Sequence, residues 1–215
     1  MTLSPQDASR MTREICALAP IVPVLVIDDV AHARPLAEAL IAGGLPALEV
    51  TLRTPAALDV IRAMSEAPGG HVGAGTLVTP EDVRAAKAAG ATFGVSPGAT
   101  DELLAACAEE ELPLLPGSAT ASEAMQLLAK GFDMLKFFPA EASGGAPALK
   151  AIGAPLPQIS FCPTGGVSPD NAANYLSLNN VICAGGSWVA PKDKIAAADW
   201  AGIEALARDA AALKG

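Results

Sequence analysis

Ala47-Leu48-Glu49-Val50-Thr51-Leu52-Arg53-Thr54-Pro55, an Ala-rich amphipathic stretch to residue 67, and then His71-Val72-Gly73-Ala74-Gly75-Thr76-Leu77-Val78-Thr79-Pro80 form the part of the chain that decides the fold. The first run alternates apolar and polar residues with period two, as a strand does. The stretch after it has helical spacing, and the second run is again strand-like. At both junctions a hydroxyl residue precedes proline, Thr54-Pro55 and Thr79-Pro80, which suits a helix N-cap followed by proline at the first helical position. Ser168-Pro169 repeats the pattern later in the chain. Working outward, strands are expected over 21–27, 47–52, 71–77, 92–96, 112–117, 133–138, 158–163 and 180–184, with helices over 31–42, 55–67, 80–89, 101–111, 122–130, 169–176 and 200–213. Residues 144–157, with three glycines and three prolines, leave room for only a short helix. Residues 5–18 offer an extra helix ahead of the first strand. Eight βα units recur with no linker or low-complexity break, so the expected fold is α/β: a (β/α)₈ TIM barrel, one domain over residues 1–215 with an additional N-terminal helix. A doubly wound open sheet is the alternative.

Composition narrows the function classes. Hydrophobic residues make up 51% of the 215 and charged residues 17%, enough for a large core and too apolar for disorder. A net charge of -9 argues against nucleic acid or an anionic membrane as partner, so any anionic ligand has to be captured locally. Cys16, Cys107, Cys162 and Cys183 are far apart, with no metal-ligand spacing, and read as core thiols in a reducing compartment. The polar start of the chain and the absence of a membrane-length apolar run point to a soluble, cytoplasmic protein.

On a barrel, chemistry sits at the carboxyl ends of the strands. Period two puts Glu49, Thr51 and Arg53 on one face, with Leu48, Val50 and Leu52 toward the helices. The same parity in Phe132-Asp133-Met134-Leu135-Lys136-Phe137-Phe138-Pro139 groups Met134, Lys136 and Phe138, so Lys136 is expected to point inward with Glu49. An amine among apolar neighbours favours its neutral form, which is the form that condenses with carbonyls. Gly73-Ala74-Gly75-Thr76 allows close backbone approach and offers a hydroxyl. Pro163-Thr164-Gly165-Gly166 and Gly185-Gly186-Ser187 follow the last two strands, where barrels commonly bind phosphate through backbone N–H groups. There is no Walker loop and no G-x-G-x-x-G at an early strand end. His32 and His71 have no plausible second ligand beside them, and Asp28-Asp29 reads as a helix cap, so neither a metal nor a cofactor is expected.

Glu49 within Leu48–Thr54, Gly73-Ala74-Gly75-Thr76, Ser96-Pro97-Gly98, Leu135-Lys136-Phe137-Phe138-Pro139-Ala140, Pro163-Thr164-Gly165-Gly166-Val167 and Gly185-Gly186-Ser187-Trp188 together resemble the 2-keto-3-deoxy-6-phosphogluconate (KDPG) and 4-hydroxy-2-oxoglutarate aldolase family, a group of class I lyases. The motifs fall in family order from about Ile15 to the final helix. The resemblance implies a homotrimeric barrel that splits a phosphorylated six-carbon keto acid into pyruvate and glyceraldehyde 3-phosphate. It makes Lys136 the Schiff-base lysine and Glu49 the acid/base, with Arg53 and Thr76 on the pyruvate carboxylate. Pro97, Phe138 and Thr164 become pocket walls, and Gly165, Gly166, Gly186 and Ser187 the phosphate grip. Two other classes share parts of this pattern: a sugar-phosphate isomerase or epimerase, and a noncatalytic phosphometabolite-binding barrel.

Overall fold

The computed structural model describes residues 2–213; Met1, Lys214 and Gly215, which the single-domain expectation includes, lie outside it. Strand β2 (Ala47–Thr51) pairs in parallel with β1 (Ile21–Leu25) on one side and β3 (His71–Gly75) on the other. Adding β4 (Phe93–Val95), β5 (Leu114–Leu115) and β9 (Ala184–Gly186) gives a six-stranded sheet of order β5-β4-β3-β2-β1-β9. A second sheet has the order β6 (Gly117–Ser118), β7 (Met134–Phe137), β8 (Ser160–Pro163). Pro116 alone separates β5 from β6, and parallel bridges Phe161↔Val181 and Thr164↔Gly185 join β8 to the segment around β9. The result is a curled, all-parallel, TIM-barrel-like α/β fold.

Most strands are one or two residues shorter at an end than expected, and two depart further. The fifth run is split because Pro116 has no N–H to give to a ladder, although its carbonyl still accepts from Lys136 N at 2.9 Å. The last strand forms over Ala184–Gly186, not 180–184, because pairing with Ile21–Pro23 sets its position. The Gly185-Gly186 pair therefore lies within a strand instead of a following turn.

Helix α1 (Pro5–Cys16) begins where Ser4 Oγ accepts from Asp7 N, with proline at its first position. The Thr79 expectation holds: with Asp82 it forms a reciprocal capping box for α4 (Pro80–Ala88). The other two proposed caps do not form. Thr54 Oγ1 donates to Ile27 O at 2.7 Å and α3 starts only at Ala57 (Ala57–Met64), while Ser168 N donates to Asn171 Oδ1 and α8 is reduced to Ala172–Leu176. Glycine-rich 144–157 nonetheless carries the nine-residue α7 (Gly145–Gly153). The remaining helices are α2 (Ala33–Ala42), α5 (Asp101–Glu109), α6 (Ala121–Ala129), α9 (Lys192–Ala196), which sequence periodicity missed, and α10 (Trp200–Ala211). No helix among the described residues is long and apolar enough to cross a membrane.

Buried side chains sort by strand parity into two clusters. Leu48, Val50, Leu135, Phe137 and Phe161 join the large core between sheet and helices. Ala47, Phe93, Val95, Leu115, Met134, Cys162 and Cys183 pack with Cys16 of α1 on the opposite, inner face. A one-residue slip of β2 would turn Leu48 and Val50 inward and put Glu49 and Thr51 against helices. Each displaced apolar side chain would forfeit roughly 1.5–3 kcal/mol, so packing fixes the inward direction of Glu49. Along the strands the inner apolar layer comes first and polar groups follow: Glu49 after Ala47, Lys136 after Met134, Thr164 after Cys162.

Candidate active site

Lys136 lies in β7, level with Gly117 on one side and Cys162 on the other. Its Nζ is 3.3 Å from Glu49 Oε1, and the two residues are only 5% and 3% exposed. Both charges are thus withdrawn from water and compensate each other, the condition under which buried ions are tolerated. The ammonium also sits 5.2 Å from the centroid of the Phe138 ring, within cation–π range. Gly75, opposite Thr51 in the β2–β3 register, makes room for this pair, because any Cβ there would collide with Glu49 Oε1.

Arg53 and Thr76 occupy the ends of β2 and β3. Arg53 is exposed, and its Nε donates to Thr51 Oγ1 at 3.2 Å while Thr51 Oγ1 donates to Leu25 O at 2.9 Å. Arg53 is therefore anchored at one nitrogen, and among the described residues it has no carboxylate partner. The planar fork is left available for an external one. Thr76 has φ +64°, a conformation costly for a β-branched residue and characteristic of functional sites.

Thr164, Gly165 and Gly166 follow β8. Thr164 is buried, bridges to Gly185 and blocks any side chain at that position. Gly165 and Gly166 take φ +101° and +79°, accessible at low cost only to glycine, and a Cβ at Gly165 would lie 3.3 Å from the Phe138 ring. Phe138 is half-buried, so it touches both the lysine and this turn. Gly186 ends β9 against the Trp188 ring, and Ser187 beyond it is exposed. Pro97 borders a 130 Å³ cleft with Gly117, the register partner of Lys136, and with Lys130.

Sequence reasoning missed Glu141 and Asn171. Glu141 N donates to Gly165 O at 3.0 Å, and Asn171 Nδ2 donates to Gly166 O at 3.0 Å. The only available signal was the Ser168-x-x-Asn171 spacing of a side-chain turn. On the inner face, Cys16 and Cys183 thiols are pushed well above their ordinary value by hydrogen bonding within the Cys16–Cys162–Cys183 trio and by burial. Among the described residues no group of three or more His, Cys, Asp or Glu is placed to hold a metal ion. Asp29 caps a short 3₁₀ turn through Ala31 N, as expected of a cap.

A lysine amine paired with a carboxylate on the inner face of a TIM-barrel-like fold is the equipment of a lyase that works through an imine. A family model for KDPG and KHG aldolase matches residues 12–206. The 2-dehydro-3-deoxy-phosphogluconate aldolase of Pseudoalteromonas atlantica is 54% identical over 94% of each chain. Among solved structures, the KDPG aldolase of Zymomonas mobilis ZM4 with 3-phosphoglycerate aligns at TM-score 0.92 and 49% identity, covering 96% of this chain and 97% of that one. The KDPG aldolase of Legionella pneumophila, with pyruvate captured at low pH as a covalent carbinolamine intermediate, aligns at 0.90 and 44%, covering 98% and 99%. The chain belongs to the KDPG and KHG aldolase family. It is accordingly a carbon–carbon lyase, and the isomerase and noncatalytic alternatives find no support in these relatives.

Proposed function

We propose that the chain cleaves 2-keto-3-deoxy-6-phosphogluconate to pyruvate and glyceraldehyde 3-phosphate through an imine on Lys136. The observation that carries this reading is the buried 3.3 Å contact between Lys136 Nζ and Glu49 Oε1. Glu49 takes a proton from the lysine, and the free amine attacks the C2 carbonyl to give a carbinolamine. Glu49 returns a proton to the departing hydroxide, and water leaves with formation of the iminium. Glu49 then removes the C4 hydroxyl proton as the C3–C4 bond breaks. Glyceraldehyde 3-phosphate departs, and the bonding pair collapses onto the iminium as an enamine. Protonation at C3 and hydrolysis release pyruvate and restore Lys136.

In this reading Arg53 and Thr76 hold the pyruvate carboxylate, and Pro97, Phe138 and Thr164 line the pocket. Gly165, Gly166, Gly186 and Ser187 bind the phosphate, largely by backbone N–H groups, which suits a chain of net charge -9. Cleavage of 4-hydroxy-2-oxoglutarate, which lacks the phosphate, belongs to the same chemistry. We take the strands to close as one eight-stranded barrel domain, with β5 and β6 as a single position and α1 as an added helix. The cytoplasmic homotrimer implied by the resemblance is part of this reading, and sedimentation at three times the chain mass tests the trimer.

Borohydride reduction in the presence of pyruvate, followed by intact mass and peptide mapping, tests the mechanism. An adduct on Lys136, absent together with cleavage in Lys136→Ala, is expected. Normal turnover by Lys136→Ala or an adduct on another lysine overturns it.

A further inference from the structure

Behind the Gly165-Gly166 turn, on the side of α7 and α8, two donors take its carbonyls. Glu141 N bonds Gly165 O and Asn171 Nδ2 bonds Gly166 O, both at 3.0 Å. Asn171 is itself held, because its Oδ1 accepts from Ser168 N at 2.8 Å. Glu141 is held too: its side chain accepts from the hydroxyl of Tyr175, which is fully buried, and a Cβ at Gly166 would lie 2.7 Å from Glu141 Cβ. In a trans peptide the C=O and N–H point in opposite directions. Fixing the carbonyls of Gly165 and Gly166 toward Glu141 and Asn171 therefore turns the N–H groups of Gly166 and Val167 away from them. Flanked by glycine, these peptides have little intrinsic resistance to flipping, and a flip would present a carbonyl oxygen where an N–H had been.

We infer that Asn171 is a positioning residue for the phosphate end of the site, its side-chain amide locking the Gly166–Val167 peptide so that the Val167 N–H faces a phosphate monoester. Glu141, braced by Tyr175, does the same for the Gly166 N–H. This inference rests on the phosphate reading of the glycine clusters given above. It makes Asn171 important for binding phosphorylated ligands while leaving the imine chemistry at Lys136 to other residues. It also assigns a purpose to a carboxylate near an anion site, since Glu141 offers its backbone N–H to the loop and commits its charge to the Tyr175 hydroxyl.

The test compares Asn171→Ala, Asn171→Asp and Ser187→Ala, measuring KM and kcat for the phosphorylated substrate and inhibition by inorganic phosphate. Loss of the amide donor is expected to raise KM and the phosphate inhibition constant together by about 3- to 30-fold, with kcat changed by less than about twofold. Asn171→Asp keeps the acceptor for Ser168 N but loses the donor and adds a charge, so a residue that merely supports α8 is rescued by Asp and a peptide lock is not. The Asp defect should persist at high salt, where repulsion from its added charge is screened. Wild-type KM in Asn171→Asp, a defect that salt abolishes, or a kcat loss with KM unchanged overturns the lock. Should Ser187→Ala raise KM while both Asn171 variants do not, the lock is wrong and the phosphate reading stands. Should Ser187→Ala leave KM unchanged and inorganic phosphate fail to inhibit the wild type, the phosphate reading fails and takes the lock with it.

Discussion

Replacing Lys136 by Met removes the amine, keeps a long apolar stem, and leaves the Glu49 carboxylate buried without its partner. At 3.3 Å two unit charges attract by about 5 kcal/mol at an effective dielectric constant of ~20. Breaking a buried pair from one side typically costs ~3–5 kcal/mol, whereas replacing both members by neutral groups is often nearly neutral, because both desolvation penalties vanish together. Lys136→Met should therefore lose about 3–5 kcal/mol of folding stability, and Lys136→Met/Glu49→Gln should recover most of it. A four-member cycle by urea denaturation gives the coupling energy directly, and borohydride trapping with pyruvate on the same four proteins gives the chemistry. Both Lys136 variants should trap nothing. Glu49→Gln should retain slow trapping while turnover falls by roughly 10²- to 10⁴-fold, the usual contribution of a positioned acid/base. A coupling energy under about 1 kcal/mol, the range of exposed ion pairs, would refute the claim that this pair is desolvated and central.

Gly75→Ala drives a Cβ into Glu49 Oε1 and should displace the carboxylate from Lys136, so kcat should fall by on the order of 10²-fold in a protein of near-native circular dichroism; an unchanged kcat would mean Glu49 has room to move. Thr76→Gly relieves the +64° φ and should gain about 0.5–2 kcal/mol in thermal denaturation while raising KM for the keto acid; a loss of stability would show that the conformation is not strained. Cys107, its thiol pushed up to about 12 by burial, and the other three buried cysteines should react with a thiol reagent only after denaturation, and fast labelling in the native state would contradict the burial assigned to them.

Wherever a signal is local and periodic, the chain states it openly. Period two in 47–53 and 133–138 placed Glu49 and Lys136 on the inner face, because alternation is a property of the strand backbone and hydrophobic burial then leaves only one register. Thr79 was recognisable as a cap from the proline that follows it, and the cap forms because Asp82, three residues on, completes the reciprocal box. Thr54-Pro55 and Ser168-Pro169 looked alike in sequence and were not caps: the Thr54 hydroxyl turns to the carbonyl of Ile27, and Ser168 meets Asn171 through its backbone N–H, not its hydroxyl.

The amino-acid sequence by itself determined the alternation of strands and helices, the two charged residues that face each other, and the glycine pairs near the ends of the last two strands. Only the tertiary structure decided that Lys136 and Glu49, 87 residues apart, come within 3.3 Å, that Gly75 exists to make space for Glu49, and that Thr76 is held at positive φ. It alone disclosed the grip of Glu141 and Asn171 on the Gly165-Gly166 carbonyls, where Glu141 in turn is braced by Tyr175, 34 residues further on. Periodicity records which way a side chain points along its own strand; how close it comes to a side chain on another strand depends on the curl of the sheet and the packing of helices around it, which no local pattern encodes.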